Sequence, residues 1–337
     1  MIRVPRRPTV LPVFLLIASL ARFARVAQAD LPPLPPNPQI LDPYDVPLAP
    51  RPPTLPELTH RDYEVSGETT FGVITPNVVK ALEASSSDVA SIVQRLGAEA
   101  PLDRHRRFYL GGSYELAAGS PPGGGSFKLV PSNLDVYGRV VWATRTGLTF
   151  GGGLGVLLPT AQFGKGDDAA KVAQAAQAIR PWDNAFFLDD TTTLRAFVDV
   201  RDVDGRFTLQ FREGVEWSID LGGGEPQVAA IAQLFAGFRV LPLLGVGLEA
   251  FETYLILLDT PPPVTSAQDK NRGTLTISPN VRLMTPYVQP ELGFITSIGD
   301  PLFGGGAVDG FWALRIGASV VWDPTMKGLG RGGGSAP

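Results

Sequence analysis

The chain has 337 residues, a net charge of −4, 38 glycines, 32 prolines and no cysteine. The lack of cysteine excludes disulfides, thiolate catalysis and cysteine-ligated zinc. Basic and acidic residues are nearly balanced and form no basic stripe of the kind that binds nucleic acid, so we expect no nucleic-acid partner.

The N-terminus has the three parts of a secretory signal peptide. Three arginines within the first seven residues precede an apolar run at Val10–Ala21, and small residues follow at Ala27–Ala29. The apolar run is shorter than the ~20 residues of a membrane-spanning helix, which disfavours an uncleaved anchor. We therefore predict a signal peptide over residues 1–29.

Residues 30–66 are rich in proline, as in Leu31–Pro36, and are predicted to form a polyproline or disordered periplasmic linker. Residues 67–104 are predicted to hold a short strand and then an amphipathic helix. The helix is predicted from apolar residues at spacings of three, four and seven: Val79, Leu82, Val89, Val93 and Leu96. It would plug the domain that follows or lie in the periplasm.

From residue 105 to residue 322, apolar and polar residues alternate in long segments. Period two indicates strands, and runs of up to 14 residues exceed the ~5–6 of a soluble strand, whereas a tilted membrane strand needs ~9–11. The ten predicted strands are Arg107–Leu116, Leu134–Ala143, Leu148–Leu158, Leu194–Arg201, Arg206–Ile219, Ala229–Val240, Leu244–Leu258, Thr274–Leu283, Val288–Ile298 and Phe311–Trp322.

The connections between these strands alternate between short and long. Asp204–Gly205 is a short one and Pro159–Thr193 the longest. Bacterial outer-membrane barrels combine short periplasmic turns with longer outer loops. We predict an all-β, transmembrane, antiparallel up-and-down barrel of about 10 strands, with 12 as the alternative. Its location would be the outer membrane, and the Gly-rich tail 323–337 would be periplasmic. A secreted soluble β-protein is the third interpretation.

The opposite face of the strands is charged, and charged groups facing hydrocarbon are costly, so this face should line the lumen. Its arginines outnumber its acids. The face could be a self-paired polar core, or the wall of a small pore that favours anionic solutes. The predicted lumen-lining residues are Arg107, Glu115, Asp135, Arg139, Arg195, Asp199, Arg201, Arg206, Arg212, Glu216, Arg239, Glu249, Arg282, Glu291 and Arg315.

Two glutamates, Glu213 and Glu252, fall on the apolar face. They predict either bulges or a slip in the assigned phase.

The longest connection contains a predicted helix at Asp168–Ile179 that Pro181 ends. The segment would fold into the mouth as a constriction or cap the rim. Its acids match no defined calcium loop, so a solvated acidic loop is expected rather than a metal site; they are Asp167, Asp168, Asp183, Asp189 and Asp190. No cofactor is expected.

Enzyme motifs are missing from the sequence. The only histidines are His60 and His105, and no Ser–His or paired-carboxylate site accompanies them. Gly151–Gly155 lies within an alternating strand with no helix after it, which excludes a nucleotide-binding loop. We predict that the protein is not an enzyme.

The segment Gly153–Thr160 reads Gly-Leu-Gly-Val-Leu-Leu-Pro-Thr. It resembles a strand end of the outer-membrane barrels assigned to the phenol-degradation meta-pathway, also described as transporter-like barrels. The resemblance covers about two strands and includes the hairpin Val288–Trp322. It implies a barrel of about a dozen strands and uptake of small hydrophobic or aromatic compounds.

The function expected first is a narrow pore or passive transporter for small solutes in the outer-membrane lipid bilayer. The alternative is a non-conducting envelope scaffold, whose residues 30–100 bind a periplasmic protein partner. The oligomeric state stays open.

Overall fold

The computed structural model describes residues 63–74, 89–103, 106–121, 125–143, 148–164, 167–224, 226–257, 273–285, 288–298 and 311–322. The predicted signal peptide, most of the Pro-rich linker and the tail 323–337 lie outside the described residues. No helix in the described part of the chain is long and apolar enough to cross a membrane.

The described residues form thirteen strands and two short helices. The strands are β1 (Tyr63–Ile74), β2 (Val89–Pro101), β3 (Phe108–Gly119), β4 (Lys128–Pro131), β5 (Leu134–Ala143), β6 (Thr149–Leu158), β7 (Thr191–Asp204), β8 (Phe207–Asp220), β9 (Gln227–Leu241), β10 (Leu244–Leu257), β11 (Gly273–Leu283), β12 (Val288–Ile298) and β13 (Phe311–Trp322). Between β6 and β7 lie helix α1 (Asp168–Ile179) and a 3₁₀ helix (Pro181–Phe187).

Twelve of the strands close into an antiparallel barrel. Each pairs with its neighbour along the chain, β3 pairs with both β2 and β5, and β13 returns to β1 over Tyr63↔Trp322 to Ile74↔Phe311. The short β4 pairs with the end of β3 and is an addition to the wall. The up-and-down barrel is therefore confirmed, with the alternative count of 12 strands rather than 10.

The prediction of an amphipathic helix before the barrel is wrong where the structure describes that segment. Val89–Pro101 is strand β2, hydrogen-bonded between β1 and β3, and the wall begins at Tyr63 rather than at residue 105. Val93 points inward into an apolar cluster, so its face of β2 is not uniformly polar, and this masks the period of two. Val79 and Leu82 lie outside the described residues.

The barrel wall is apolar outside and mostly polar inside, as period two requires. On β11, Leu275, Val281 and Leu283 are exposed, whereas Thr274, Thr276 and Ser278 are buried. The outer face of β8 follows the same rule, with Val215 and Trp217 exposed. The strand phases predicted from the sequence are therefore those of the structure.

Exposed aromatic residues form two belts on the outer surface. One lies beside the short turns and includes Tyr63, Phe108, Trp142, Phe150 and Phe238; the other lies towards the long connections and includes Phe71, Trp217, Phe294 and Trp312. On β8, Phe207, which pairs with Phe238 of the first belt, is ten residues from Trp217 of the second. A rise of ~3.3 Å per residue and a tilt of ~40° place the belts about 25 Å apart, the height of the apolar band of a transmembrane barrel.

Glu213 and Glu252 lie on the outer face in an undisturbed register. Both pair with Ala232 of β9, one from β8 and the other from β10. The register shifts of the β9–β10 pair lie elsewhere, at Leu244/Gly245 and Leu255/Leu257. Neither predicted explanation, a bulge or a phase slip, applies at these glutamates.

Candidate functional site

The connection between β6 and β7 folds into the barrel. We call Asp168–Phe187, which comprises α1 and the 3₁₀ helix, the plug. Asp167 stands at the N-cap position of α1, and its carboxylate accepts a hydrogen bond from the amide of Asp168, the first residue of the helix. All residues from Ala175 to Phe187 are buried. The segment therefore forms a constriction inside the mouth and does not merely cap the rim.

The plug rests on an apolar seat that the barrel interior provides near the long connections. Val172, Ala176 and Ile179 of α1 belong to one buried cluster with residues from eight strands of the wall, among them Ile74, Val93, Ala117, Leu157 and Phe311. The indole of Trp182 stacks on the ring of Phe251 of β10, with centroids 4.1 Å apart and planes inclined by 16°. These inward apolar residues hold the plug against the wall through burial of apolar surface.

Arg180, at the junction of the two plug helices, lies among three carboxylates. It donates to Glu68 of β1, to Thr70 Oγ1 at 2.9 Å and to Asp183 at 2.5 Å, and its Nη2 lies 3.3 Å from Glu115 of β3. Burial lowers the pKa of the guanidinium, but the three carboxylates outweigh burial and hold that pKa well above its ordinary value. Arg180 is therefore a permanent cation that ties the plug to two strands.

Asn133, just before β5, fastens the other side of the plug. Its side-chain amide donates to the carbonyl oxygens of Ala185 and Leu188, at 3.1 and 2.9 Å. Its backbone N–H donates to the carbonyl of Phe186 at 2.7 Å, and its Oδ1 accepts from the amide of Ala161 at 2.9 Å. One buried amide side chain thus satisfies the backbone at both ends of the β6–β7 connection.

Other ion pairs line the inner face of the barrel wall. Arg212 holds Asp199 with two hydrogen bonds of 2.6 and 2.8 Å, a bidentate geometry that guanidinium favours. The remaining pairs join neighbouring wall strands or strands that one or two others separate: Arg195–Asp135 at 2.5 Å, Arg139–Glu99 at 2.8 Å from Nε, Arg315–Glu249 at 2.8 Å, and Arg282–Glu291.

Most of the charged residues singled out from the sequence lie on the inner side of the wall. Ten are buried: Glu115, Asp135, Arg139, Asp199, Arg201, Glu216, Glu249, Arg282, Glu291 and Arg315. Arg195 and Arg212 are partly buried and paired with inward acids. Arg107 and Arg206 are exposed beside the short turns, and Arg239 is half-buried near another turn.

Within the described part of the chain, sequence reasoning missed five interior charges: Glu68, Arg95, Glu99, Arg180 and Asp183. Three lie on β1 and β2, where the alternation in Tyr63–Ile74 and Val89–Pro101 was the available signal. The other two belong to the plug. The alternation of apolar and polar residues along the strands does not show that this connection folds into the barrel. When these five are included, the interior carboxylates of the described residues are at least as many as the interior arginines, so the arginine surplus inferred from the sequence disappears.

A cavity of about 60 Å³ lies between the plug and the wall of β2, β5, β7, β8 and β9. Such a volume holds a few water molecules at ~10–15 Å³ each. The acids of the β6–β7 connection have structural partners, such as Asp189, which accepts from the amide of Phe163. The described residues contain no cluster of three or more His, Cys, Asp or Glu side chains able to hold a metal ion.

No protein-family model matches the chain, and no curated protein matches it significantly in sequence. Among solved structures, it is similar to an outer-membrane channel from Pseudomonas putida F1, with 13% identity, a TM-score of 0.53, and coverage of 83% of this chain and 99% of that one. The NanC porin is similar at 10% identity, covering 76% of this chain and 100% of that one, with a TM-score of 0.46. The likeness to the channel shows a shared barrel fold.

Proposed function

We propose that the protein is an outer-membrane barrel that forms a narrow pore for small solutes, and that it is not an enzyme. The observation that carries the proposal is the combination of an apolar outer wall with a charged interior into which the plug is folded. A soluble barrel would gain nothing from the exposed leucines, valines and tryptophans of its outer face, because water penalises contiguous apolar surface.

The outer surface supports insertion in a bilayer. The aromatic belts are about 25 Å apart, as membrane–water interfaces require, and the twelve wall strands that the structure describes leave no unpaired edge when β1 closes on β13. The similar channel of Pseudomonas putida is an outer-membrane protein. The protein's long connections would then face outwards, with the plug entering from that side.

The interior supports passage of small solutes only. Twelve-strand barrels are wider than the eight-strand barrels that side chains fill, but here the plug occupies much of the added width. Because interior acids balance the arginines, we expect weak selectivity between simple anions and cations, not the anion preference that an arginine surplus would produce.

The test is single-channel conductance of the full chain in planar bilayers, beside a variant in which residues 167–187 are replaced by a short Gly-Ser linker. We expect small conductance steps from the full chain and steps several times larger from the variant. A variant that folds and inserts but never conducts would overturn the pore.

A second candidate is a non-conducting barrel, favoured by the dense pairing of Arg180 with the wall and of Asn133 with the plug. It predicts no conductance steps from the full chain, and conductance only after the plug is removed. Since residues 63–74 and 89–101 belong to the wall, a scaffold role would place the periplasmic docking segment before Tyr63.

A further inference from the structure

The cavity beside the plug lies on the side of the lumen that α1 leaves free. Helix α1 packs against β1, β2, β3, β4 and β13. The cavity is instead walled by β5, β7, β8 and β9, with Arg95 of β2 and with Trp182 and Asp183 of the plug. A solute that passes the plug on this side meets this lining.

Among the described residues, charges of both signs line this cavity in equal number. Its cations are Arg95, Arg195 and Arg212, and its acids are Asp135, Asp183 and Glu216. Because the two sets balance, an added anion or cation would leave a net charge in the barrel interior, where an uncompensated charge is costly. A solute without net charge avoids that cost.

Two hydrogen-bond donors of the lining have no partner in the described part of the chain. Trp182 is only 2% exposed, and its indole Nε1 is without a hydrogen bond. The Nε of Arg195 is likewise buried and unpartnered. Buried donors of native proteins normally bind protein, water or a ligand, so both groups are available to an oxygen acceptor in the cavity.

Acceptors of the lining are left in the same condition. Gln233 Oε1 and Asp135 Oδ1 are buried without a hydrogen bond among the described residues, although Asp135 Oδ1 lies 2.5 Å from Arg195 Nη2. Glu216 lies 3.9 Å from Arg195 Nη1, which is too long for a hydrogen bond. The cavity therefore presents unmet donors and unmet acceptors together, and a lone anion or a lone cation can satisfy only one of the two sets.

We propose that this cavity binds a small zwitterionic amino acid of the size of glycine, as a station on the path through the lumen. The carboxylate of the amino acid accepts from Trp182 Nε1 and Arg195 Nε. Its ammonium group donates to Gln233 Oε1 and to the carboxylate of Glu216. The proposal rests on the proposed pore, because the solute reaches the cavity through the lumen.

Strength of hydrogen bonding and size both favour such a ligand. Water meets the same groups, but hydrogen bonds to charged partners are roughly twice as strong as those between neutral groups. A volume of about 60 Å³ corresponds to about four to six waters at ~10–15 Å³ each. That space accepts glycine and excludes amino acids with long side chains.

The test compares glycine with two probes of the same size that each carry one of its charges. Glycolate has the carboxylate and a neutral hydroxyl group, whereas glycinamide has the ammonium group and a neutral amide. Saturation-transfer NMR titration measures their binding to the full chain in detergent micelles at neutral pH. We expect glycine to bind about tenfold more tightly than either probe, because each probe leaves one set of partners without a charged ligand group. Equal binding of glycine and either probe, or no binding of glycine, overturns the site and leaves the cavity to a single ion or to water.

Two variants address the two ends of the site. Glu216→Gln removes the charge that faces the ammonium group and should weaken glycine binding about tenfold. Trp182→Phe keeps the ring on Phe251, removes the N–H and should weaken glycine binding about fivefold. Trp217→Phe, on the outer face, should leave it unchanged. Glycine binding that neither variant weakens, or that Glu216→Gln strengthens, contradicts the assignment, and the comparison of the three probes decides the matter if a variant does not fold.

Failure of this site can be told apart from failure of the pore. Conductance steps from a protein that does not bind glycine reject the amino-acid site and leave the pore intact. Glycine binding in micelles by a protein that never conducts, even without the plug, keeps the site and rejects the pore.

Discussion

Gly72 of β1 lies directly against Ile179 of the plug: a Cβ atom at Gly72 would stand 2.6 Å from Cγ2 and 3.0 Å from Cβ of Ile179. Contacts this short do not occur between side chains, so the plug sits where it does only because β1 carries a glycine at this point. The last turn of α1 thereby approaches the wall closely enough for Arg180, the next residue, to reach Glu68 and Thr70.

Gly72→Val should push the plug out of its seat. Valine suits a strand, so β1 itself should persist while the clash with Ile179 lifts the end of α1. We expect larger conductance steps and faster tryptic cleavage within the plug. The control is Gly67→Val on the outer face of β1, where the nearest atom to a new Cβ is 3.7 Å away. Unchanged conductance and cleavage in Gly72→Val would mean that the apolar seat accommodates the added side chain without displacing the plug.

Arg180→Ala should release the plug by a different route. Loss of the guanidinium leaves Glu68, Glu115 and Asp183 close together without their shared cation, and such a broken buried pair costs ~3–5 kcal/mol. Conductance is expected to rise. Lys171→Ala is the matched control, because it removes a plug cation that is partly exposed and only 3.7 Å from Asp168. If the two variants raise conductance equally, the net charge of the plug, and not the Arg180 cluster, holds the plug in place.

Asn133→Ala should loosen the plug without changing any charge. It removes two donated and one accepted hydrogen bond, at ~1 kcal/mol each, and leaves buried carbonyl groups unsatisfied. We expect trypsin to cut after Lys171 or Arg180 faster than in the unaltered protein. Gln174→Ala, on the exposed side of α1, should not alter the rate. If both variants resist trypsin equally, Asn133 is not a fastening point.

Arg315→Met should destabilise the barrel more than any substitution of a turn arginine. Arg315 is fully buried, donates to Glu249 and lies 3.8 Å from Glu291. Methionine fills similar space but leaves two buried carboxylates without that cation, which should cost ~3–5 kcal/mol of unfolding free energy. Urea unfolding in lipid vesicles measures the loss. Arg206→Met, at the exposed turn between β7 and β8, should change stability by less than ~0.5 kcal/mol.

Glu213→Leu should stabilise the protein in a bilayer. The side chain is exposed near the middle of β8, between the aromatic belts, where a carboxylate is unfavourable. We expect a gain of ~1 kcal/mol in unfolding free energy in vesicles, and a smaller gain for Glu213→Gln. A loss of stability instead would indicate that this face contacts a polar partner rather than acyl chains.

The amino-acid sequence by itself determined the barrel. Alternation of apolar and polar residues sets which face of each strand is buried, and it is a local property with a period of two. The bounds Leu134–Ala143, Val288–Ile298 and Phe311–Trp322 could be read directly, as could α1, whose N-cap acid and following proline are local signals too.

Only the tertiary structure decided how the interior is filled. The inward fold of the β6–β7 connection puts apolar residues such as Val93 on the inner face, so the pattern that reveals the other strands failed at β2. It also joins Arg180 to Glu68, 112 residues earlier in the chain. Such pairings depend on which strands the closed barrel brings opposite one another, and no spacing along the chain records that.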